Sequence, residues 1–206
     1  MKKYNSEQEK FWAGNFGDEY ISRNIDDKLL SSNLALFSKI FSSIDSIESV
    51  IEYGSNVGLN LRAINTLFPD IQLSGVEINE NAIKELSKIK NIESFHQSIL
   101  DFQTNKQWDF VFTKGVLIHI APDDLSKIYN ILYKTSRKWI CLIEYYNPTP
   151  IEIEYRGNSE KLYKRDFCSD LRDKYPDLKL IDYGFVYHCD PVSPQDDLTW
   201  FLLSKD

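Results

Sequence analysis

Two carboxylates and a pair of glycines in this chain are spaced as a ligand site. The run Val50-Ile51-Glu52-Tyr53-Gly54-Ser55-Asn56-Val57-Gly58 sets an acid near the end of an apolar stretch, with G-x-x-x-G following. Glycines let a backbone turn tightly and meet a ligand with no Cβ in the way, and the start of a following helix offers unpaired N–H groups. A dinucleotide site needs G-x-G-x-x-G with its pyrophosphate on the helix dipole. Here Asn56 holds the place of the middle glycine and Glu52 aims a carboxylate at the turn, so an anion is discouraged and a cation is not. At Gly75-Val76-Glu77-Ile78-Asn79 a second acid ends the next apolar stretch, where a carboxylate accepts both hydroxyls of a ribose. Together the two acids describe a nucleoside without phosphates and with a cationic tail. The simpler readings are a bare strand-to-helix turn for the glycines and a helix-flanking acid for Glu77.

Other side chains fall where an acceptor molecule would lie. His119 follows an apolar strand and suits proton transfer near neutral pH, although histidines in such places more often orient a loop. Lys114, at the same mouth, is a candidate contact for the cofactor or for an acidic substrate. The segment from Phe11 to Asn24 carries four large aromatics and glycines ahead of the core. It reads as a lid, with Tyr20 and Arg23 directed at a cofactor carboxylate, or as a strap packed on the sheet. Tyr145, Tyr146 and Asn147, then Tyr155 and Arg156, form an aromatic and basic stretch that suits an acidic sugar, with its apolar ring faces and its carboxylate. His188-Cys189-Asp190 has no partner cluster, so no metal is assigned.

The elements that must position these residues alternate between short β-branched or aromatic runs and longer helical patterns, the mark of a parallel sheet with helices on both faces. Strands are predicted at 49–53, 72–77, 92–96, 108–112 and 139–145. Helices are predicted at 31–43, from 59 to a stop at Pro69, from 79 or 81 to about 90, from Pro122 through 132, and at 166–174. Two last strands, 178–187 and 198–203, are joined by a loop too short for a helical crossover and should pair antiparallel. The expectation is a Rossmann-like, doubly wound, seven-stranded, mostly parallel α/β sheet closed by an antiparallel C-terminal hairpin. No composition break divides the 206 residues, so a single domain is expected, with 1–30 as lid or strap and 31–206 as core.

Composition narrows the functions. With 24 basic and 31 acidic residues the net charge is −7, the wrong sign for a protein that grips phosphate backbones, so nucleic acid is not expected as a partner. No stretch approaches the ~18 apolar residues of a membrane helix, and the first ten residues lack an apolar signal core. Cys141, Cys168 and Cys189 form no C-x-x-C and read as buried reduced thiols, which suits a cytoplasmic location.

EYGSNVG, GVEIN and WDFVFTKGVLIHIAPDDL resemble motifs of the class I S-adenosylmethionine-dependent methyltransferases. More narrowly, FWAGNFGDEYISRN, KGVLIHI and EYYNPTP…EYRG…LYKRDF are similar to methylases associated with pseudaminic acid biosynthesis. The resemblance implies S-adenosylmethionine as cofactor and a small-molecule acceptor such as a nonulosonic sugar, methylated on O or N. It puts Glu52, Gly54, Ser55, Asn56 and Gly58 at the methionine end, Glu77 on the ribose and Ile78 against adenine. Ser98 stands where the family usually has Asp, and Ile99 would pack on the ring. A non-catalytic module with the same fold is the other reading. A nicotinamide oxidoreductase is a third, disfavoured by the missing glycine.

Overall fold

The computed structural model describes residues 4, 6–21 and 27–205. Two short helices come first, α1 (Glu7–Ala13) and α2 (Asn15–Ile21), followed by the longer α3 (Asp27–Phe41). The core then alternates: β1 (Ser49–Tyr53), α4 (Leu59–Leu67), β2 (Gln72–Glu77), α5 (Glu80–Leu86), β3 (Ile92–His96), β4 (Trp108–Lys114), α6 (Pro122–Thr135) and β5 (Ser136–Glu144). After β5 come the hairpin β6 (Ile151–Tyr155) and β7 (Asn158–Lys164), then α7 (Phe167–Lys174), β8 (Leu178–Val186) and β9 (Leu198–Lys205).

The main sheet has the order β3-β2-β1-β4-β5-β9-β8. β1 to β5 pair in parallel, and β9 and β8 close the edge antiparallel. The expected doubly wound, seven-stranded sheet is therefore the observed one. β1 is buried at all five positions, Glu52 included, as a strand covered on both faces requires. One face packs Trp108, Ile128, Leu132 and Leu142; the other packs Phe37, Ile40, Phe112 and Trp200. Two buried polar side chains are satisfied across elements: Trp108 Nε1–H donates to Ser74 Oγ (2.9 Å) and Tyr53 O–H to Thr135 Oγ1 (2.9 Å). α6 starts as its sequence dictates, with Pro122 in the first turn and Asp123 and Asp124 at the positive end of the helix.

The structure departs from the sequence reading in three places. The aromatic and basic stretch after β5 is a hairpin. Ile151, Ile153 and Tyr155 alternate with Glu152 and Glu154, and Arg156 (φ 53°) and Gly157 (φ 79°) make a two-residue turn with both residues left-handed. The amino-terminal segment is helical, and its start is fixed by a capping box in which Ser6 and Glu9 each accept the other's backbone N–H. Cys141 and Cys168 are buried and free, but Cys189 is exposed because it sits in the β8–β9 connection. No described helix is long and apolar enough to cross a membrane.

Candidate active site

The carboxyl ends of β1, β2 and β4 open on a cavity of about 590 Å³. Its floor is the glycine turn after β1. Gly54 (φ 78°) has no room for a side chain, since a Cβ would lie 2.5 Å from Val116 Cγ2. The N–H groups of Gly54 and Ser55 donate to Val76 O (2.9 and 3.0 Å), and Ser55 Oγ–H donates to Glu52 O (2.9 Å). Asn56 turns the chain at φ 47° and its N–H donates to Glu77 Oε2 (2.7 Å). The other oxygen of Glu77 accepts the N–H of Asn79 (2.7 Å). Glu77 therefore ties the turn after β1 to the start of α5, and each of its oxygens keeps a further lone pair for a ligand. Burial pushes its pKa up, opposed by these amides.

Glu52 lies behind this floor, fully buried. Its Oε1 accepts Asn60 Nδ2–H (2.6 Å), while Oε2 and the Oδ1 of Asn60 have no donor among the described residues. Asn60 lines the cavity; Glu52 itself does not. Burial raises the Glu52 carboxyl to about 8, against the Asn60 hydrogen bond and the charge of Lys114. Lys114 donates to Asn33 Oδ1 (2.8 Å), and burial lowers it to about 8 while the charges of Glu52 and Asp196 oppose. Both oxygens are sealed from solvent, and a Glu52 carboxyl raised to about 8 keeps its own proton at neutral pH.

Glu144, at the end of β5, escaped the sequence reading. Its carboxylate accepts Val116 N–H at 3.1 and 3.0 Å and so holds the short 3-10 turn Leu117–His119 that follows β4. Burial raises it to about 7, opposed by the amides of that turn. The ring of His119 lies between Trp12 (centroids 4.6 Å apart) and Tyr155 (5.0 Å), and its Nδ1 meets Lys161 O at 2.6 Å. Burial lowers His119 to about 4.

The roof is made by α1, α2 and the β6–β7 hairpin. Asp18 Oδ1 accepts the Nδ2–H groups of Asn79 and Asn81 (both 2.9 Å), and Asn79 Nδ2–H also reaches Trp12 O (3.3 Å). Phe16 meets Tyr155 edge-on at 5.8 Å, which joins the arch formed by α1 and α2 to the hairpin.

Of the residues singled out by sequence, Gly54, Ser55, Asn56, Glu77, Ile78, Ser98, Ile99, Lys114 and His119 line the cavity, as do Tyr20, Tyr145, Tyr155 and Arg156. Ser98 accepts Leu100 N–H (3.1 Å), which leaves its own O–H to donate. Gly58 stands apart: at φ 79° it caps α4, and a Cβ there would strike Leu86 and Ile89 at 2.6 Å, so packing explains it. Tyr146 is exposed, and Asn147 bonds to Thr149 O (2.6 Å); both stand outside the cavity. Arg23 lies outside the described residues. No group of three or more metal-ligating side chains exists among the described residues.

No protein-family profile and no curated protein matches the chain. Solved structures do. Magnesium protoporphyrin IX methyltransferase from Synechocystis PCC 6803 with bound SAH superposes with a TM-score of 0.67 at 12% identity, over 96% of this chain and 97% of that one. The fold is that of the class I methyltransferases. The plantazolicin methyltransferase BpumL in complex with SAH gives 0.66 at 15% identity, over 97% and 94% of the two chains. DesVI from Streptomyces venezuelae gives 0.66 at 8%, over 94% and 99%. In a class I methyltransferase fold the cavity lies at the carboxyl ends of the parallel strands, where open α/β sheets hold their ligands.

Proposed function

We propose that this chain transfers a methyl group from S-adenosylmethionine to a small acidic molecule. The observation that carries the reading is the Glu77 carboxylate, which lines the cavity with each oxygen held by one backbone amide, next to the Gly54–Asn56 turn and Asn60. A nucleoside without phosphates suits that turn, whereas a pyrophosphate would meet the Glu77 carboxylate there. The carboxylate of Glu77 is preset by two amides to receive a ribose diol, and Ile78 and Ile99 offer apolar surface for adenine with the Ser98 hydroxyl beside it. Lys114 and Tyr20 are the groups for the carboxylate of the methionine tail.

Bound there, the cofactor would supply a methyl group on a positively charged sulfur. The task of the protein is then to hold the acceptor in line with that methyl and to exclude water. Trp12, Tyr20, Tyr145 and Tyr155 give the acceptor half of the cavity an aromatic wall. At its rim the Arg156 guanidinium lies 5.7 Å over the Tyr155 ring and has no carboxylate partner among the described residues. A ring with an apolar face and an anionic substituent fits both, as nonulosonic sugars do. Titration calorimetry with S-adenosylmethionine, S-adenosylhomocysteine and NAD tests the reading. One adenosyl ligand per chain and no heat from NAD is expected; tighter binding of NAD, or no binding of either adenosyl ligand, overturns it.

A further inference from the structure

His119 is held in one tautomer. Its Nδ1 sits 2.6 Å from the carbonyl oxygen of Lys161, which can only accept, so Nδ1 carries the proton and donates it. Nε2 is then a bare lone pair. It has no partner among the described residues, yet it is not among the side-chain atoms sealed from solvent without one, and the residue lines the cavity. The ring cannot readily turn to present its other nitrogen. Trp12 and Tyr155 pack on it, at 4.6 and 5.0 Å, and a flip would break the bond to Lys161. The turn that bears it is itself fastened by Glu144 through the Val116 N–H.

We propose that His119 selects an acceptor that brings its own proton: a hydroxyl or an amine, and not a carboxylate. This deepens the methyltransferase reading and rests on it. A carboxylate set against Nε2 would oppose two lone pairs in a buried site, and repulsion of that kind excludes a ligand as firmly as attraction selects one. An O–H or N–H group instead donates to Nε2, which aligns the lone pair of its heavy atom. When that atom bonds to the methyl carbon, the carbon–sulfur bond breaks and its electron pair returns to sulfur, neutralising the sulfonium. The acceptor's proton passes to Nε2 and from there to water. The burial that keeps the imidazole neutral does not hinder this step for a hydroxyl, because an alkylated oxygen is a strong acid; an alkylated amine instead keeps its proton through the transfer and releases it to water afterwards. The acidic group that Arg156 would recognise lies elsewhere on the same molecule.

Two measurements test this separately from cofactor binding. Nitrogen-15 correlation spectra of the histidine rings at pH 7, assigned by comparison with His119→Phe, should give the tautomer protonated on Nδ1. Protonation on Nε2, or an imidazolium, overturns the proposal even if S-adenosylmethionine binds. In the second, methyl-labelled S-adenosylmethionine is incubated with the protein and a small-molecule cell extract, and the labelled product is treated with mild alkali. Label that stays on the product, as an ether or a methylamine, is expected; label released as methanol marks a methyl ester and overturns it. His119→Phe keeps an aromatic ring between Trp12 and Tyr155 and should bind S-adenosylmethionine within twofold of the parent while losing at least tenfold in kcat. An unchanged kcat in that variant contradicts the role.

Discussion

Gly17→Ala is the sharpest probe of the arch over the cavity. A Cβ at this position would lie 1.9 Å from Trp12 O and 2.8 Å from Asn79 Nδ2, where ordinary contact begins at 3.4 Å. α1 and α2 must then part by roughly 1.5 Å and α2 must draw back from Asn79 by about 0.6 Å, which stretches the 2.9 Å hydrogen bonds on Asp18 to their ~3.5 Å limit. Two of those bonds end on the Asp18 carboxylate. Partly exposed, they contribute about 2–3 kcal/mol together. Alanine returns up to ~1 kcal/mol as a better helix former than glycine. The closed arch loses about 1–2 kcal/mol net, a factor of roughly 5–30 in its weight against open forms. Calorimetry should find S-adenosylmethionine affinity reduced by up to that factor. Tryptophan fluorescence gives a second readout, because Trp12 lines the cavity whereas Trp108, Trp139 and Trp200 are buried in the core. The ligand-induced change expected of the parent protein should shrink in Gly17→Ala and vanish in Trp12→Phe. Gly14→Ala is the control, since its Cβ would meet only Lys10 O at 3.0 Å. Parent-like affinity together with a parent-like fluorescence change in Gly17→Ala would refute the arch as part of the site.

Glu77→Gln replaces one acceptor by an NH₂ group that must face a backbone N–H, so adenosyl affinity should fall by about 1.5–3 kcal/mol in calorimetry; unchanged affinity removes the ribose assignment. Stability without ligand should depend on pH with a definite sign. Glu52 and Glu144, raised to about 8 and about 7, bind protons in the folded state that the unfolded chain has lost, so the thermal midpoint should fall as pH rises from 6 to 7.5; above about 8 Lys114, lowered to about 8, opposes the fall. His119, lowered to about 4, works the other way and only below its unfolded value near 6.5, where stability falls as pH falls. Glu52→Gln should flatten the upper part of the profile, and an equally steep fall in that variant would exclude Glu52 as its source. Arg156→Gln should raise KM for an anionic acceptor at least tenfold while leaving S-adenosylmethionine affinity alone, since Arg156 sits at the rim; equal KM values would remove it from acceptor binding.

The parallel core was legible because each strand is a short apolar run bounded by a turn and each helix repeats its apolar positions, as in Leu125, Ile128, Ile131 and Leu132. The acids at the ends of β1 and β2 were legible because a charge that interrupts such a run has few structural excuses. Glu144 was not: it closes its strand as Glu52 and Glu77 do, but no glycine turn follows it to mark the place. Asn60 was missed because one polar residue in the first turn of a helix looks like a solvated one; only the buried Glu52 beside it gives it meaning. The β6–β7 hairpin was hidden by composition. Its outer residues are charged, and its left-handed turn uses Arg156-Gly157 in place of the commoner Asn-Gly. The Ile-Glu-Ile-Glu-Tyr alternation was the available signal. The arch was foreseen as an aromatic cover but not as helices, although Ser6 and Glu9 stand at capping-box spacing.

The most direct test of the account is a crystal structure with S-adenosylhomocysteine. It should place the ribose hydroxyls on the Glu77 carboxylate and the methionine tail along the Gly54–Asn56 turn, beside Asn60 and Lys114. A ribose held elsewhere, or a methionine tail directed away from that turn, would contradict it.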